Sequence, residues 1–306
     1  MQTPEQAQKA YLDELIKARL LLPTGVAGVY GRGPVFEGVL DRFDALVKRA
    51  GEYQQAEAWR FPPVLSRRHF EVSRYLKSMP HLAGVIHSFS GDSAAHNKLL
   101  AAVEGGEAYS DFLSMTDVVL APAACYPCYP TAAAQGPLPK GGRTFDILNY
   151  CFRHEPSPDP ARLQSFRMYE YVRMGEPEEV RSWIEGWRER GADVLRSIGL
   201  DPDIATANDP FFGRGGKMLA ANQREQQLKF ELLYPITSTE QPTAVTSFNY
   251  HQDHFGGLFG LKTADGEVAH TACIGFGMER VTLALFKKHG LDPQRWPAAV
   301  RAKLWP

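Results

Sequence analysis

The stretch CFRHEPSPDPARLQSFRMYEYVRMG, residues 151–175, decides the fold of this chain. It contains two runs without proline or glycine, 151–155 and 165–174, the second with three aromatic residues and a valine, and a segment with three prolines, 156–164, separates them. Such runs are typical of strands, and prolines with aspartate are typical of the loop between them. The stretch therefore predicts an antiparallel hairpin with a long tip.

Reactive side chains of this hairpin are expected on one face of each strand, because side chains alternate across a strand. Arg153 and Glu155 share a face of the first run, and Phe166, Met168 and Glu170 share a face of the second. Arg153 can neutralise an α-phosphate that gains charge during in-line attack, and the Phe166 ring can stack on a purine. Glu155 can accept a hydrogen bond from an adenine amino group.

A second signal is ACIGFGMER, which ends at Arg280. Residues 268–274 predict a strand, Gly275 and Gly277 permit a tight turn, and residues 278–289 predict an amphipathic helix. A guanidinium in the first helical turn can reach phosphates or cover an adenine. The two signals together indicate ATP-dependent activation of a carboxylate, although a salt-bridged hairpin and an ordinary strand-to-helix turn would give the same patterns.

These stretches resemble motifs 2 and 3 of class II aminoacyl-tRNA synthetases, and within the seryl branch they are most similar to the amino acid:[carrier protein] ligases. LAPAACYPCYP and HTACIGFGMERVTLALF add to the likeness, which runs from about Phe36 onward. The helical run 36–51 and the strand 53–61 resemble motif 1, which implies a homodimer with its interface near 41–63. The resemblance implies an α+β fold, a class II synthetase-like antiparallel sheet flanked by helices, in a single domain over 1–306.

The resemblance also implies a set of ATP-binding residues. Arg153, Glu155 and Arg280 would be catalytic. The implied ATP contacts, with magnesium, are Arg153, Glu155, Arg162, Leu163, Phe166, Lys229, Ala244, Val245, Thr246, Ser247 and Arg280. The sequence departs from the seryl pattern at Ala244, where an acid helps to hold magnesium; Glu231 can compensate.

The cysteines leave two interpretations open when the residues alone are considered. The CxxC at 125–128 lies among prolines that predict a turn or extended loop, and there is no second CxxC, so neither a redox motif nor a zinc knuckle fits well. Buried inert thiols and a three-ligand zinc site both remain. The resemblance implies one zinc per chain, held by Cys125, Glu170 and Cys273, which also bind the substrate amine. His251 and His254 are expected to be hydrogen-bonded structural histidines.

Composition argues against a large nucleic-acid surface, since the formal net charge of the 306 residues is −1. No window approaches the ~20 apolar residues of a membrane span, and the amino terminus carries acids and amides where a signal peptide is apolar. Four cysteines suit a reducing compartment, so the cytoplasm is expected. Seryl enzymes carry a long helical arm that binds tRNA before the catalytic domain. In this sequence only 4–22 is predicted to be helical in that region, so no tRNA partner is expected.

The segment 176–227 is the candidate docking region for a carrier protein, because ligases of this family carry insertions after motif 2. The pattern predicts a helix over 176–199, a loop over 201–216 and a helix over 217–227. Carrier proteins are acidic, so basic side chains here would attract them. They are Arg188, Arg190, Arg214 and Lys217.

The implied substrate is a small amino acid, with glycine preferred to alanine, in a pocket that Tyr126, Met168 and Phe248 could narrow. The resemblance implies that the amino acid is converted to an aminoacyl adenylate and then transferred to the phosphopantetheine thiol of a carrier protein. Two alternatives stay open. One is a tRNA-charging enzyme that uses a separate tRNA-binding subunit, and the other is a non-catalytic regulatory paralogue.

Overall fold

A computed structural model describes residues 3–306, with the exception of the Arg214 side chain. Within this range the helices are α1 Pro4–Lys17, α2 Pro34–Gly51, α3 Arg67–Val72, α4 Tyr75–Ser78, α5 Ser93–Glu104, α6 Cys128–Ala133, α7 Pro177–Arg196, α8 Gly213–Glu225, α9 His254–Phe259, α10 Met278–His289 and α11 Ala298–Leu304. The strands are β1 Leu21–Val26, β2 Val29–Arg32, β3 Glu57–Trp59, β4 Val64–Ser66, β5 Val85–Ser88, β6 Ser114–Leu120, β7 Arg143–Phe152, β8 Ser165–Gly175, β9 Asp203–Thr206, β10 Lys229–Tyr234, β11 Thr243–Gln252 and β12 His270–Gly277.

Seven of the strands form one sheet in the order β3-β7-β8-β12-β11-β10-β9. Every neighbouring pair is antiparallel except β3 and β7, which run parallel. Two smaller antiparallel sheets, β1-β2 and β4-β6-β5, lie outside it. The expected α+β fold with a helix-flanked antiparallel sheet is confirmed. Within residues 3–306 no helix combines the length and the apolar character needed to cross a membrane.

The hairpin predicted over 151–175 is confirmed, with Phe152 paired to Ser165 at the end next to the loop. The first strand stops earlier than expected, however, so Arg153 and Glu155 lie in the connecting loop and not on a strand face. The Arg153 N–H donates to the Gln164 carbonyl (2.9 Å), after which the chain leaves the ladder. Three prolines in the following segment lack the N–H that continued pairing would need.

Helices α2, α7 and α10 cover one face of the large sheet. In α2 the buried Phe36, Val39, Leu40 and Phe43 recur at helical spacing and pack with sheet residues such as Phe276 in one cluster. The opposite face carries a second cluster, which includes Cys125, Cys273 and the ends of α6 and α9. That second face is the one that holds the candidate site.

Several predicted boundaries were wrong. The helix predicted over 4–22 ends at Lys17, because Leu21 and Leu22 begin β1, and the strand predicted over 53–61 is reduced to β3. The loop predicted over 201–216 contains β9, which pairs with β10 at the sheet edge. The helix predicted over 217–227 begins and ends earlier, as α8. The pairing of an edge strand and the first residue of a helix depend on tertiary contacts with distant segments, which the local sequence does not reveal.

Gly275 and Gly277 do not form a turn, because β12 continues to Gly277 and α10 begins directly afterwards. At Gly275 the requirement is space, since a Cβ there would lie 2.8 Å from Cε of Met168 and 3.4 Å from Cγ of Glu170. Cys128 likewise opens a short helix, α6, where a turn or extended loop was expected.

Four charged side chains join β2, α2, β8 and α10 beneath the sheet. Arg167 donates to both carboxylate oxygens of Glu37 (2.7 and 2.7 Å), and its Nε lies 2.9 Å from Oε1 of Glu279. Glu279 is 1% exposed and also accepts from the Arg167 backbone N–H (2.7 Å), with Arg32 3.5 Å away. The network fixes the start of α10, and therefore Arg280, against the hairpin.

We expect Glu279→Gln to lower the free energy of unfolding by about 3 kcal/mol, because it leaves buried arginine charge incompletely compensated. Urea unfolding followed by circular dichroism measures this change. Glu178→Gln, at an exposed position in the first turn of α7, is the matched control and should change stability by less than about 0.5 kcal/mol. Equal stability of the two variants would contradict the assignment.

Candidate functional site

A cavity of about 460 Å³ opens on the sheet face opposite α2, α7 and α10. All the sequence-predicted site residues except Arg162 line it. They are Cys125, Arg153, Glu155, Leu163, Phe166, Glu170, Lys229, Ala244, Val245, Thr246, Ser247, Cys273 and Arg280. Residues from five separate parts of the chain therefore meet at one surface, as the motifs predicted.

Cys125, Glu170 and Cys273 form a buried cluster whose ligand atoms all lie within 4.8 Å of one another. Glu170 comes from β8 and Cys273 from β12, the neighbouring strand, where Glu170 pairs with Gly275. The Ala124 N–H donates to Oε1 of Glu170 (3.0 Å), whereas Oε2 has no hydrogen-bond partner among the described residues. A buried carboxylate oxygen without a partner is costly, so this cluster is suited to a bound cation or amine.

The electrostatics of the cluster agree with that interpretation. Burial, together with the charge of the Cys273 sulfur, raises the pKa of Glu170 to about 8. The closeness of the two sulfurs lowers the pKa of Cys273 and, together with burial, raises that of Cys125. The three groups thus compete for protons in the absence of a cation, and two sulfurs with one carboxylate are a donor set that zinc accepts.

Asn249 and His251, on β11, approach the Cys273 sulfur. Nδ2 of Asn249 lies 3.6 Å from this sulfur and Nε2 of His251 lies 3.7 Å from it. The other ring nitrogen of His251 lies 3.1 Å from Oγ1 of Thr271. His251 is therefore hydrogen-bonded, as expected, but sequence reasoning gave neither residue a contact with Cys273.

The opposite end of the cavity is basic and aromatic. The Arg153 guanidinium lies 5.5 Å from the centre of the Phe166 ring, and its Nε donates to the Pro122 carbonyl (3.0 Å). Arg280 donates to the carbonyls of Ala161 (2.9 Å) and Ala244 (3.0 Å), so it joins the hairpin loop to β11. Burial, with the charges of Arg162 and Arg153, lowers the pKa of Arg280 to about 10. The guanidiniums of Arg153 and Arg280 make this end favourable for an anion.

Arg162 does not line the cavity. Its Nη1 lies 2.6 Å from Oε2 of Glu155, and its side chain is 52% exposed. The structure thus places Arg162 on the rim, paired to the acid that was expected to contact adenine. A contact between Arg162 and a phosphate would require this pair to separate.

Asp209 is a cavity residue that sequence reasoning missed. It follows β9, and its carboxylate lies 2.6 Å from Nζ of Lys229, which is also 3.1 Å from Glu231. Gln223 of α8 donates to the same carboxylate (2.9 Å) and accepts from the Asp209 backbone N–H (2.8 Å). Lys229 outweighs the effect of burial and holds the pKa of Asp209 at about 2. No local pattern marks an aspartate in an irregular segment, so only the fold could reveal it.

Two of the three residues expected to narrow the amino acid pocket lie in the wall of the cavity. Tyr126 and Met168 line it. Phe248 does not, because it lies one residue out of phase with Ser247 and Asn249 and packs on the helical face of the sheet. There its ring leaves no room for a side chain at Gly191 of α7, where a Cβ would lie 2.9 Å from Cζ of Phe248.

The candidate docking region presents an apolar surface on α8. Met218 is 76% exposed, Leu219 is 48% exposed and Phe212, just before the helix, is 60% exposed. Leu219 also lines the cavity. Arg188 borders a second cavity with Gln226 at the end of α8, whereas Arg190 lies over the Tyr53 ring (4.0 Å) near the end of α2. Arg190 is thus not part of this surface, and the Arg214 side chain lies outside the described residues.

Comparison with known proteins identifies two similar curated sequences from Bradyrhizobium diazoefficiens. Amino acid–[acyl-carrier-protein] ligase 1 is 48% identical over 283 residues, which cover 92% of this chain and 86% of the relative. Amino acid–[acyl-carrier-protein] ligase 2 is 47% identical over 290 residues, 95% of this chain and 86% of the relative. No family model matches the sequence.

More distant relatives are aminoacyl-tRNA synthetases. The type-2 serine–tRNA ligase of Methanopyrus kandleri is 28% identical over 198 residues, 61% of this chain and 37% of the relative. A crystal structure of M. kandleri SerRS with A. aeolicus tRNASec has a TM-score of 0.78 at 20% identity, and covers 96% of this chain and 60% of that one. Prolyl-tRNA synthetase from Cryptosporidium parvum, with a TM-score of 0.66 at 12% identity, covers 92% of this chain and 52% of its own. The fold is therefore that of the class II synthetases.

Proposed function

Because the chain belongs to the amino acid–[acyl-carrier-protein] ligases, we propose that it activates a small amino acid with ATP and transfers it to the phosphopantetheine thiol of a carrier protein. The observation that carries the proposal is the placement of the Cys125–Glu170–Cys273 cluster in the same cavity as Arg153, Phe166 and Arg280. One end of the cavity suits an amine and the other suits a nucleotide.

In the first step a carboxylate oxygen of the amino acid attacks the α-phosphorus of ATP, and pyrophosphate leaves. Arg153 stabilises the charge that develops on the α-phosphate, and Phe166 stacks on the adenine. Arg280, already held between the hairpin loop and β11, adds positive charge beside the phosphates. Thr246, whose buried hydroxyl has no partner among the described residues, offers a further hydrogen bond to the nucleotide.

In the second step the thiol sulfur attacks the acyl carbon of the adenylate, a thioester forms and AMP leaves. The ATP is proposed to carry magnesium, for which Glu231 is the candidate acid, on β10 opposite Ser247 of β11. No serine or cysteine nucleophile on the enzyme is required, because the acyl group passes directly from phosphate to the incoming thiol.

Zinc is the metal we propose for the cluster, since the two sulfurs, the carboxylate and the orphaned Oε2 of Glu170 fit it. When bound, it would hold the substrate amine and leave the carboxylate free to face the α-phosphate. Cys125, Glu170 and Cys273 would be its protein ligands. Asn249 and His251 hold the Cys273 sulfur in place.

Exchange of labelled pyrophosphate into ATP tests the proposal directly. Purified protein with zinc is assayed with glycine, alanine, serine and cysteine in turn. Exchange that depends on one small amino acid supports the proposal, and absence of exchange with all four favours a non-catalytic paralogue. Charging of purified tRNA by the isolated protein would instead favour a synthetase activity.

Glycine is the amino acid we propose, with alanine next. Tyr126 and Met168 both line the cavity that holds the metal cluster, and they limit the space beside a bound amine. The extra methyl group of alanine changes binding by only about 1 to 3 kcal/mol in such a pocket. The ratio of kcat/KM for glycine and alanine in the exchange assay measures the preference.

We propose α8 and the residues just before it as the carrier contact. The exposed Met218 and Phe212 supply apolar area, Lys217 supplies charge, and Leu219 connects the surface to the cavity. Carrier proteins are acidic, so a basic residue at the rim raises the association rate.

Lys217→Glu should therefore spare pyrophosphate exchange and slow thioester formation by about tenfold at low salt, because charge reversal at the rim acts on association. The measurement is transfer of labelled amino acid to a purified carrier that the wild-type protein loads. Lys140→Glu, at an exposed position in the turn before β7, is the matched control. A parallel loss of exchange, or an equal slowing by the control, would refute the docking surface.

We also propose a homodimer and a cytoplasmic location. β3 forms one edge of the seven-stranded sheet, and Tyr53 beside it is 57% exposed, which supports an interface near 41–63. All four cysteines are free thiols, which suits a reducing compartment. Sedimentation equilibrium measures the oligomeric state.

A further inference from the structure

The amino-terminal segment before α2 has no role in the proposed function. None of the cavity residues lies in α1, β1 or β2. Yet α1 is firmly attached to α10, the helix that carries Arg280. Tyr11 is 1% exposed, and its hydroxyl donates to the Leu283 carbonyl (2.6 Å). Leu15 is fully buried in the same cluster as α10 residues.

The hairpin β1–β2 extends from α1 towards the loop that carries the catalytic arginine. Its tip, Ala27 and Gly28, contacts Gln164, the last residue before β8. Gln8 of α1 adds a contact to Asp159 in the same loop (3.3 Å). The segment thus lies against α10 at one end and, at the other, against the loop 153–164 between β7 and β8, which we call the ATP loop.

Gln164 is the residue through which this contact reaches Arg153. Its backbone N–H donates to the Gly28 carbonyl (2.8 Å), and its side-chain amide donates to the Ala27 carbonyl (2.8 Å). Its own carbonyl accepts from the Arg153 N–H (2.9 Å). Gln164 is 5% exposed, so these bonds are shielded from water.

The tip of the hairpin is shaped for this approach. Gly28 has a φ of +76°, which favours glycine. A Cβ at this position would lie 3.2 Å from Cγ of Gln164 and 3.3 Å from the Arg162 carbonyl. A side chain there would therefore strain the turn and push it away from the loop.

We propose that the hairpin β1–β2, acting through Gln164, holds the ATP loop so that Arg153 faces the α-phosphate. Gln164 is a positioning residue, since it contacts Arg153 and not the cavity. The inference rests on the proposed ATP chemistry. Its consequence is that the amino-terminal segment, and not only the hairpin β7–β8, sets the rate of adenylate formation.

Gln164→Glu tests the proposal from the loop side. The substitution keeps the shape and the backbone bonds but replaces an N–H donor with an oxygen that repels the Ala27 carbonyl. We expect kcat of pyrophosphate exchange to fall about 10- to 100-fold, because small displacements of a charge-stabilising group are costly in the transition state. KM for the amino acid should change less than twofold, since the metal cluster is untouched.

Gly28→Ala tests it from the hairpin side and should give the same loss in kcat. Thr24→Val is the matched control, because it removes a hydrogen bond within the same hairpin, from Oγ1 to the Val29 carbonyl (2.6 Å), without touching the loop. The control should keep wild-type kcat. Thermal melting of all three variants checks folding, and if Gln164→Glu does not fold, Gly28→Ala decides.

The outcomes separate this inference from the proposed function. If wild type is active and both loop-directed variants keep its kcat, or if Thr24→Val loses as much as they do, the inference is refuted while the function stands. If wild type shows no pyrophosphate exchange, the proposed function fails, and the hydrogen–deuterium exchange rate of backbone amides in 153–164 decides the inference. Faster amide exchange in Gln164→Glu than in wild type and in Thr24→Val then supports the proposal that the hairpin holds this loop, and equal amide exchange rates refute it.

Discussion

Arg153→Ala should lower the rate of amino-acid-dependent pyrophosphate exchange by about 10²- to 10³-fold, which is the typical cost of losing one preorganised charge stabiliser. The guanidinium lies in the cavity beside the Phe166 ring and donates to no carboxylate within hydrogen-bond distance among the described residues. Its charge is therefore available to the phosphate. The effect belongs to the transition state, so the affinity for ATP should fall much less than kcat.

The measurement is steady-state exchange with saturating amino acid, together with equilibrium binding of ATP. Arg295→Ala is a suitable control, because Arg295 is exposed, does not line the cavity and forms an ion pair with Asp292. It should behave as wild type. A loss smaller than about tenfold in Arg153→Ala would show that the phosphate role is wrong.

Cys273→Ser should abolish metal binding and amino acid binding together while ATP binding is retained. Serine keeps the approximate size of cysteine but lacks the thiolate that zinc prefers. Two remaining protein ligands, Cys125 and Glu170, are too few for a stable site of this kind. Exchange activity should then fall below detection, because the amine is no longer held.

Zinc per chain, measured by elemental analysis after dialysis, tests this prediction without reference to activity. Cys151→Ser is the matched control, since Cys151 is also a buried free thiol, 2% exposed, but lies outside the metal cluster. The control should keep its zinc. Unchanged zinc content in Cys273→Ser would refute the ligand assignment, and a chelator should reproduce its loss of amino acid binding in wild type.

Arg153 and Glu155 illustrate where reasoning from sequence stopped short. Strand alternation placed Arg153 and Glu155 on a common strand face, but the strand ends at Phe152 and both residues lie in the loop. They still line the cavity, because hydrogen bonds of the loop with Gln164 and Arg280 hold the loop against it. The side-chain types were informative, whereas the local conformation depended on contacts with distant segments.

The Cys125–Glu170–Cys273 cluster shows the same division. Cysteines at 125 and 273 and a glutamate at 170 have no spacing that marks a metal site, and the residues alone favoured buried inert thiols over a metal site. Resemblance to a family suggested the set, and the pairing of β8 with β12 brings Glu170 and Cys273 together. Phe248 was assigned to the wrong face of the sheet. Alternation along β11 shows that Phe248 and Ser247 point to opposite faces, but the sequence alone did not show which of these faces is the cavity side.

By itself, the sequence determined the β7–β8 hairpin, the strand-to-helix passage at β12 and α10, and the residue types that ATP chemistry needs. These features depend on periodicity, prolines and short motifs, which are local. Only the tertiary structure decided that Asp209, Asn249 and His251 belong to the site, that Glu279 is buried in an ion network, and that the amino-terminal hairpin supports Gln164. Each of these depends on contacts between residues far apart in the chain, and such contacts follow from strand order and packing, which no local pattern encodes.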